Sequence, residues 1–371
     1  MKKNHLISCF TGICAFLLCL LPSCEKEFNP RDKYKEITIV YGLVNPADSV
    51  HYIRIHKAFL GPEDILVMAQ NPDSSMYPVE DLDVRIYDVT PDGNSTKLDV
   101  FVTDKIDKED PEYPGYFSTK QRIYYFEKIF EKTTLFGDDY YRPDNIIKIE
   151  VEHKKTGKII YAETPLVNSF NVRSPMTGVA LTLDPNQTSA KFMWDNAKNG
   201  RIYDVYYSMQ YREGRRADSS NVFKKKIIRW HVGSHSSTKT GDGTSQTENF
   251  LFNPGAFYAQ IVRDIPYDTS LWRSPYIDVN VELWCGSEVL YYYHNINGSS
   301  PGLAQERPEY TNLKTKIYSE ELGSYQDVED EAFGIFSSRI VQYRPIKLSD
   351  VMIQKYLPEI DRQFKSVVYE D

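Results

Sequence analysis

The chain is predicted to be mainly β, as two tandem β-sandwich units of immunoglobulin or fibronectin-III type with short helices inserted. Three observations predict this. Segments such as "IKIEVEH" and "YIDVNVELW" alternate apolar and polar residues with a period of two. Tyrosine is abundant, at 28 residues beside 18 Phe and 4 Trp, and such residues suit half-buried pleated surfaces. Clusters of Gly, Pro, Asn and Asp separate the alternating runs. A Thr164-Pro165 hinge divides the chain into a first unit, 36–165, and a second, 166–348, followed by a tail at 349–371.

The N-terminus is read first. Lys2, Lys3 and His5 precede a nearly continuous apolar stretch at residues 6–21. Its 16 residues are short of the roughly 20 that span a bilayer, and they fit a signal peptide at 1–23. The stretch ends in Leu21-Pro22-Ser23-Cys24, which resembles a bacterial lipobox; Pro22 is its unusual member. In that motif the Cys24 thiol is acylated and becomes the first residue of the mature chain. Several acyl chains on one cysteine anchor firmly, at about 0.8 kcal/mol per buried methylene. Of the five cysteines, Cys9, Cys14 and Cys19 leave with the signal and Cys24 carries lipid, so only Cys285 is left and no intrachain disulfide is expected. Residues 24–35 read as a polar tether. Loss of Lys2 and Lys3 takes the formal charge from −8 to about −10, which argues against nucleic acid as a partner.

In the first unit, Ile37, Ile39 and Tyr41 alternate with Thr38 and Val40, and after a turn His51, Ile53 and Ile55 alternate with Tyr52 and Arg54. Residues 61–82 read as an excursion with a short helix: Pro62 and Glu63-Asp64 open it, Ile65, Met68 and Ala69 fit its face, and Pro72 ends it. "LDVRIYDV", "KLDVFVTD" and "QRIYYFEKIF" read as strands, with a polar loop at 107–118. Strand, turn and strand follow around Thr156-Gly157, with Ile147, Ile149 and Val151 on one face and Ile159, Tyr161 and Glu163 continuing beyond the turn.

In the second unit Ala190, Phe192 and Trp194 share a face, as do Tyr203, Val205, Tyr207 and Met209. "FKKKIIRWHVG" is a strand, and residues 233–247 read as a low-complexity loop. Ile277, Val279, Val281 and Leu283 are expected to point inward against Asp278, Asn280 and Glu282. The period then changes: Ser287 is placed to cap a helix, Val289, Tyr293 and Ile296 lie three to four apart, and Gly298 stops it. A last strand puts Phe333, Ile335 and Ser337 on one side, and the tail from Ser349 is either a short helix or one broken at Pro358.

The lipobox, "VYGLVNPADSVHYIRIHKAF", "IKIEVEHKKTGKIIYAETPL" and the late "LYYYHNIN…DEAFGIFSSR" region resemble the Bacteroidetes lipoproteins grouped as DUF4249. The resemblance implies an outer-membrane lipoprotein, anchored through Cys24 on the periplasmic or surface side, beside a TonB-dependent receptor. It brings no catalytic residues with it.

Chemistry is sparse in the residues themselves. His51 and His56 fall on opposite faces of a strand, and His231 and His235 have no carboxylate at a supporting spacing, so no metal and no cofactor is expected. "DKEDPE" and "DVEDE" lack the spacing of a calcium loop. There is no G-x-S-x-G, and Cys285 reads as a buried apolar residue rather than a nucleophile. The candidate ligand-binding residues are Tyr291 and Tyr292, which fan out around a helix with Tyr293 on the core side; an exposed pair would stack on a glycan or a partner protein. The leading expectation is a binding or accessory lipoprotein; a hydrolase of glycans or peptides using loop carboxylates, and a structural or adhesive role, are the alternatives.

Overall fold

The computed structural model describes residues 37–58, 75–107, 120–135, 138–176, 178–216, 223–238, 241–242, 246–298, 310–329 and 332–366. Cys24, the expected helix after Pro62 and most of the 107–118 loop lie outside them. The chain is mainly β with short helices, as its alternation predicts. The first part forms β1 (Ile37–Val44), β2 (Val50–Ala58), β3 (Leu82–Val89), β4 (Ser95–Leu98), β5 (Val100–Asp107), β6 (Lys120–Glu127), β7 (Lys132–Leu135), β8 (Asp138–Tyr141), β9 (Ile146–His153) and β10 (Lys158–Pro165). The second part forms β11 (Val172–Ser174), β12 (Ala190–Asp195), β13 (Ile202–Arg215), β14 (Lys224–Ser236), β15 (Thr247–Phe252), helix α1 (Gly255–Asp264), β16 (Leu271–Gly286) and helix α2 (Glu288–Gly298). Then come β17 (Lys314–Ser319), β18 (Ser324–Val328) and β19 (Ala332–Lys347). The tail is a π turn at Met352–Tyr356 running into the three-residue helix α3 (Leu357–Glu359).

Two cores form, and they part at the expected hinge: Leu166 belongs to the first and Val167 to the second. The first is closed between a six-stranded sheet, in the order β18-β17-β10-β9-β3-β4, and the β1-β2-β6 end of an eight-stranded sheet. The second lies under the β14-β13-β16-β19 end of that same eight-stranded sheet. Its cover is the small β11-β12-β15 sheet, α1 through Phe257, Tyr258 and Ile261, and the tail through Met352, Leu357 and Phe364. Tyr203, Val205, Tyr207 and Met209 are all fully buried here, as their alternation predicts.

The units are not separate in chain order. β17 pairs with β10, so residues 314–328 complete the sheet of the first unit. β19 is shared: its first half pairs parallel with β1, and its second half pairs antiparallel with β16. Ala332 and Phe336 therefore fill the first core, while Ile340 and Ile346 fill the second. Ile335 and Ser337 share a side, as expected, and it is the side away from the first core, where the Ser337 hydroxyl meets that of Ser287 at 2.6 Å. Two glycines permit the junction. Gly42 leaves room for the Phe336 ring, and Gly334, at φ +95°, lies against the Val40 backbone.

Other expectations shift with neighbouring strands. On β10 the core face is Ile160 and Ala162, while the Tyr161 hydroxyl donates outward to Asp327. β14 extends through Ser236, so the first residues of the expected low-complexity loop are strand. Lys224, Lys225 and Lys226 are exposed on that strand, at the edge of the eight-stranded sheet, where charge discourages further strand pairing.

Candidate functional site

α2 forms where the period changes, immediately after β16. Ser287 does not cap it through its side chain, because its hydroxyl is engaged with Ser337; its carbonyl accepts from the Tyr291 N–H at 3.0 Å. Tyr293 is half-buried but does not enter a core. Its ring meets the edge of Tyr41 on β1 at 6.3 Å, and its hydroxyl donates to that of Tyr41. Tyr292 is exposed, 5.3 Å from Tyr291 and 5.7 Å from Tyr310. The Tyr291 ring lies 5.3 Å from the Arg201 guanidinium. The two candidate tyrosines thus stand together as one partly open aromatic edge.

Arg201 was not among the residues singled out by spacing, because it lies 90 positions away at the start of β13. Its backbone N–H donates to Gly286, which puts it beside the start of α2. There a cleft of 450 Å³ opens, lined by Pro165, Asn199, Arg201, Thr238, Ser287 and Glu288. Such a volume suits a small organic ligand. The Arg201 Nε is buried with no acceptor, and no carboxylate lies within ion-pair distance of its guanidinium among the described residues. The first-turn N–H groups of α2 also lack partners within the helix. Guanidinium, amides and a tyrosine ring together suit a ligand carrying a carboxylate beside a flat apolar face.

A larger cavity of 620 Å³ lies by Tyr77, Arg122, His153 and Lys155, and two of its cations are already paired. Lys155 pairs with Asp81 at 2.6 Å, and Arg122 with Asp104 at 2.8 Å. The histidines also have partners that linear spacing conceals. His235 lies 2.8 Å from Glu248, which also accepts from the buried Ser237, and His231 lies 3.3 Å from Asp204. Neighbouring strands supply these carboxylates. Among the described residues no group of three metal-ligating side chains comes together. His51 stacks on Phe126 inside the first core, while His56 stacks on Tyr41 outside it, so the two do point to opposite faces. Burial, aided by Arg54, lowers the His56 pKa to about 4. Cys285 is fully buried, and burial pushes its thiol well above the ordinary range, which removes it as a nucleophile at neutral pH. Compared with known proteins, the chain matches no family model, and no curated protein is similar to it in sequence.

Proposed function

We propose that the protein is a lipid-anchored extracytoplasmic binding or accessory protein, held to the outer membrane through Cys24 and working beside a TonB-dependent receptor rather than catalysing a reaction. The lipobox and the family resemblance support the address. The observation that carries the binding role is the Arg201 guanidinium in the cleft at the start of α2, flanked by Tyr291 and without a carboxylate partner among the described residues. An ion left without a partner in a protein wall is costly, and a ligand carboxylate would offset that cost.

Two measurements test the reading. Cells fed a clickable palmitate should label the wild-type protein and leave Cys24→Ser unlabelled and released from membranes. Affinity purification from mildly solubilised membranes should recover an outer-membrane receptor with the wild-type chain. An unlabelled wild-type protein that still carries residues 1–23 would overturn the anchor. Recovery of the labelled protein without any receptor would overturn the accessory role.

A further inference from the structure

A second surface lies apart from that cleft, on the outer face of the eight-stranded sheet. Tyr206 on β13, Glu282 on β16 and Tyr343 on β19 stand directly opposite one another across three strands. At the usual strand spacing the two tyrosines are about 10 Å apart. Trp284 sits one step along β16 from this row, and its indole N–H donates to Glu282 at 3.0 Å. Arg229 lies 3.8 Å over the Tyr206 ring and donates to the same carboxylate at 2.8 Å. Glu282 is thereby neutralised. Two further carboxylates are near: Asp204, engaged by Ser234 and His231, and Asp48, within electrostatic range of Tyr343.

Arg339 is left over. Its guanidinium packs 4.8 Å from the Trp284 ring, its Nε is buried without an acceptor, and no carboxylate pairs with it among the described residues. Two same-face steps along β19, about 13 Å from Arg339 at the usual strand rise, the Tyr343 ring is 54% exposed. We infer that this face binds an acidic saccharide, with Arg339 meeting the sugar carboxylate and Tyr343 stacking on the apolar side of a pyranose ring. The inference goes beyond the proposed accessory role and does not depend on the Cys24 anchor. Charge selects the ligand: a single spare guanidinium on this face of a chain of formal charge −8 suits isolated carboxylates, whereas a polyphosphate chain needs many cations.

Full-length protein purified in detergent is titrated calorimetrically with oligosaccharides of polygalacturonate, alginate and hyaluronate, each beside its carboxyl-reduced form. At least one acidic oligosaccharide should bind, and its reduced form should bind at least about tenfold more weakly. Arg339→Gln and Tyr343→Ala should each lose about tenfold in affinity, whereas Lys97→Gln, exposed on β4 of the six-stranded sheet, should bind like wild type. Tyr343→Ala alters an exposed ring, so it tests the surface even if Arg339→Gln unfolds. The inference is overturned if no acidic oligosaccharide binds more tightly than about 1 mM. It is also overturned if a well-folded Arg339→Gln or Tyr343→Ala binds like wild type. Loss in Arg201→Gln alone would assign the saccharide to the α2 cleft and leave the proposed function standing.

Discussion

Substitution of Gly334 by alanine probes the strand that joins the two cores. Gly334 has φ +95°, and an added Cβ would lie 2.8 Å from the Val40 carbonyl carbon and 3.1 Å from its nitrogen, with the carbonyl oxygen closer still. Placing an L-residue at such a φ costs about 1–2 kcal/mol. Relieving the contact means moving β1 away from β19 in a packed sheet, at a further 1–3 kcal/mol or so. The expected loss is about 2–5 kcal/mol, a large share of a typical stability of about 5–15 kcal/mol. Gly93→Ala is the matched control, because Gly93 has φ +85° but nothing within 4 Å of its added Cβ. It should show the backbone cost alone, about 1–2 kcal/mol. Urea titration followed by tryptophan fluorescence measures both, with the difference between variants read from the shift in midpoint at constant slope. Equal losses in the two variants would refute the claim that close approach of β19 to β1 is what demands glycine at 334.

The shared strand also predicts that a fragment of residues 36–165 does not fold alone, since β17, Ala332 and Phe336 complete its sheet and core; co-expression with 166–371 should restore dispersed NMR amide shifts. His56 should make the protein less stable in acid. Its folded pKa, about 4, lies below the unfolded value of 6.5. Above pH 6.5 both states are neutral; as pH falls from 6.5 towards 4 the unfolded state takes the proton first, and about 3 kcal/mol is lost. His56→Gln should flatten that part of the stability curve, while His51, lowered by its own burial, keeps a remainder of the same sign. Cys285 should resist iodoacetamide in the native protein and react fully in urea, as read by mass spectrometry of its peptide; native alkylation at pH 7 would contradict its burial.

Much of the architecture was legible because alternation reports a sheet with one buried face. β9, β13 and β16 follow that rule, and their inward residues came directly from spacing, save Ile277, which lies beside the register shift of β16 against β13 and is only half-buried. β19 broke the rule because residues 332–338 are buried on both sides, by the first core on one and alongside α2 on the other. α1 was missed although Phe257, Tyr258 and Ile261 have helical spacing, because Pro254-Gly255 ahead of them reads as a turn. Tyr291 and Tyr292 were found as a pair, but their companions Arg201 and Tyr310 were not, and neither were Glu248 beside His235 or Arg339 on Trp284.

By itself the sequence determined the β class and the expectation of lipid on Cys24, because periodicity and processing motifs are properties of short continuous stretches. Only the tertiary structure decided that the C-terminal strands complete the N-terminal core, and which guanidinium groups are left without a carboxylate. Strand order and charge pairing depend on residues tens to hundreds of positions apart, and nothing local in the chain encodes which of many compatible edges will meet.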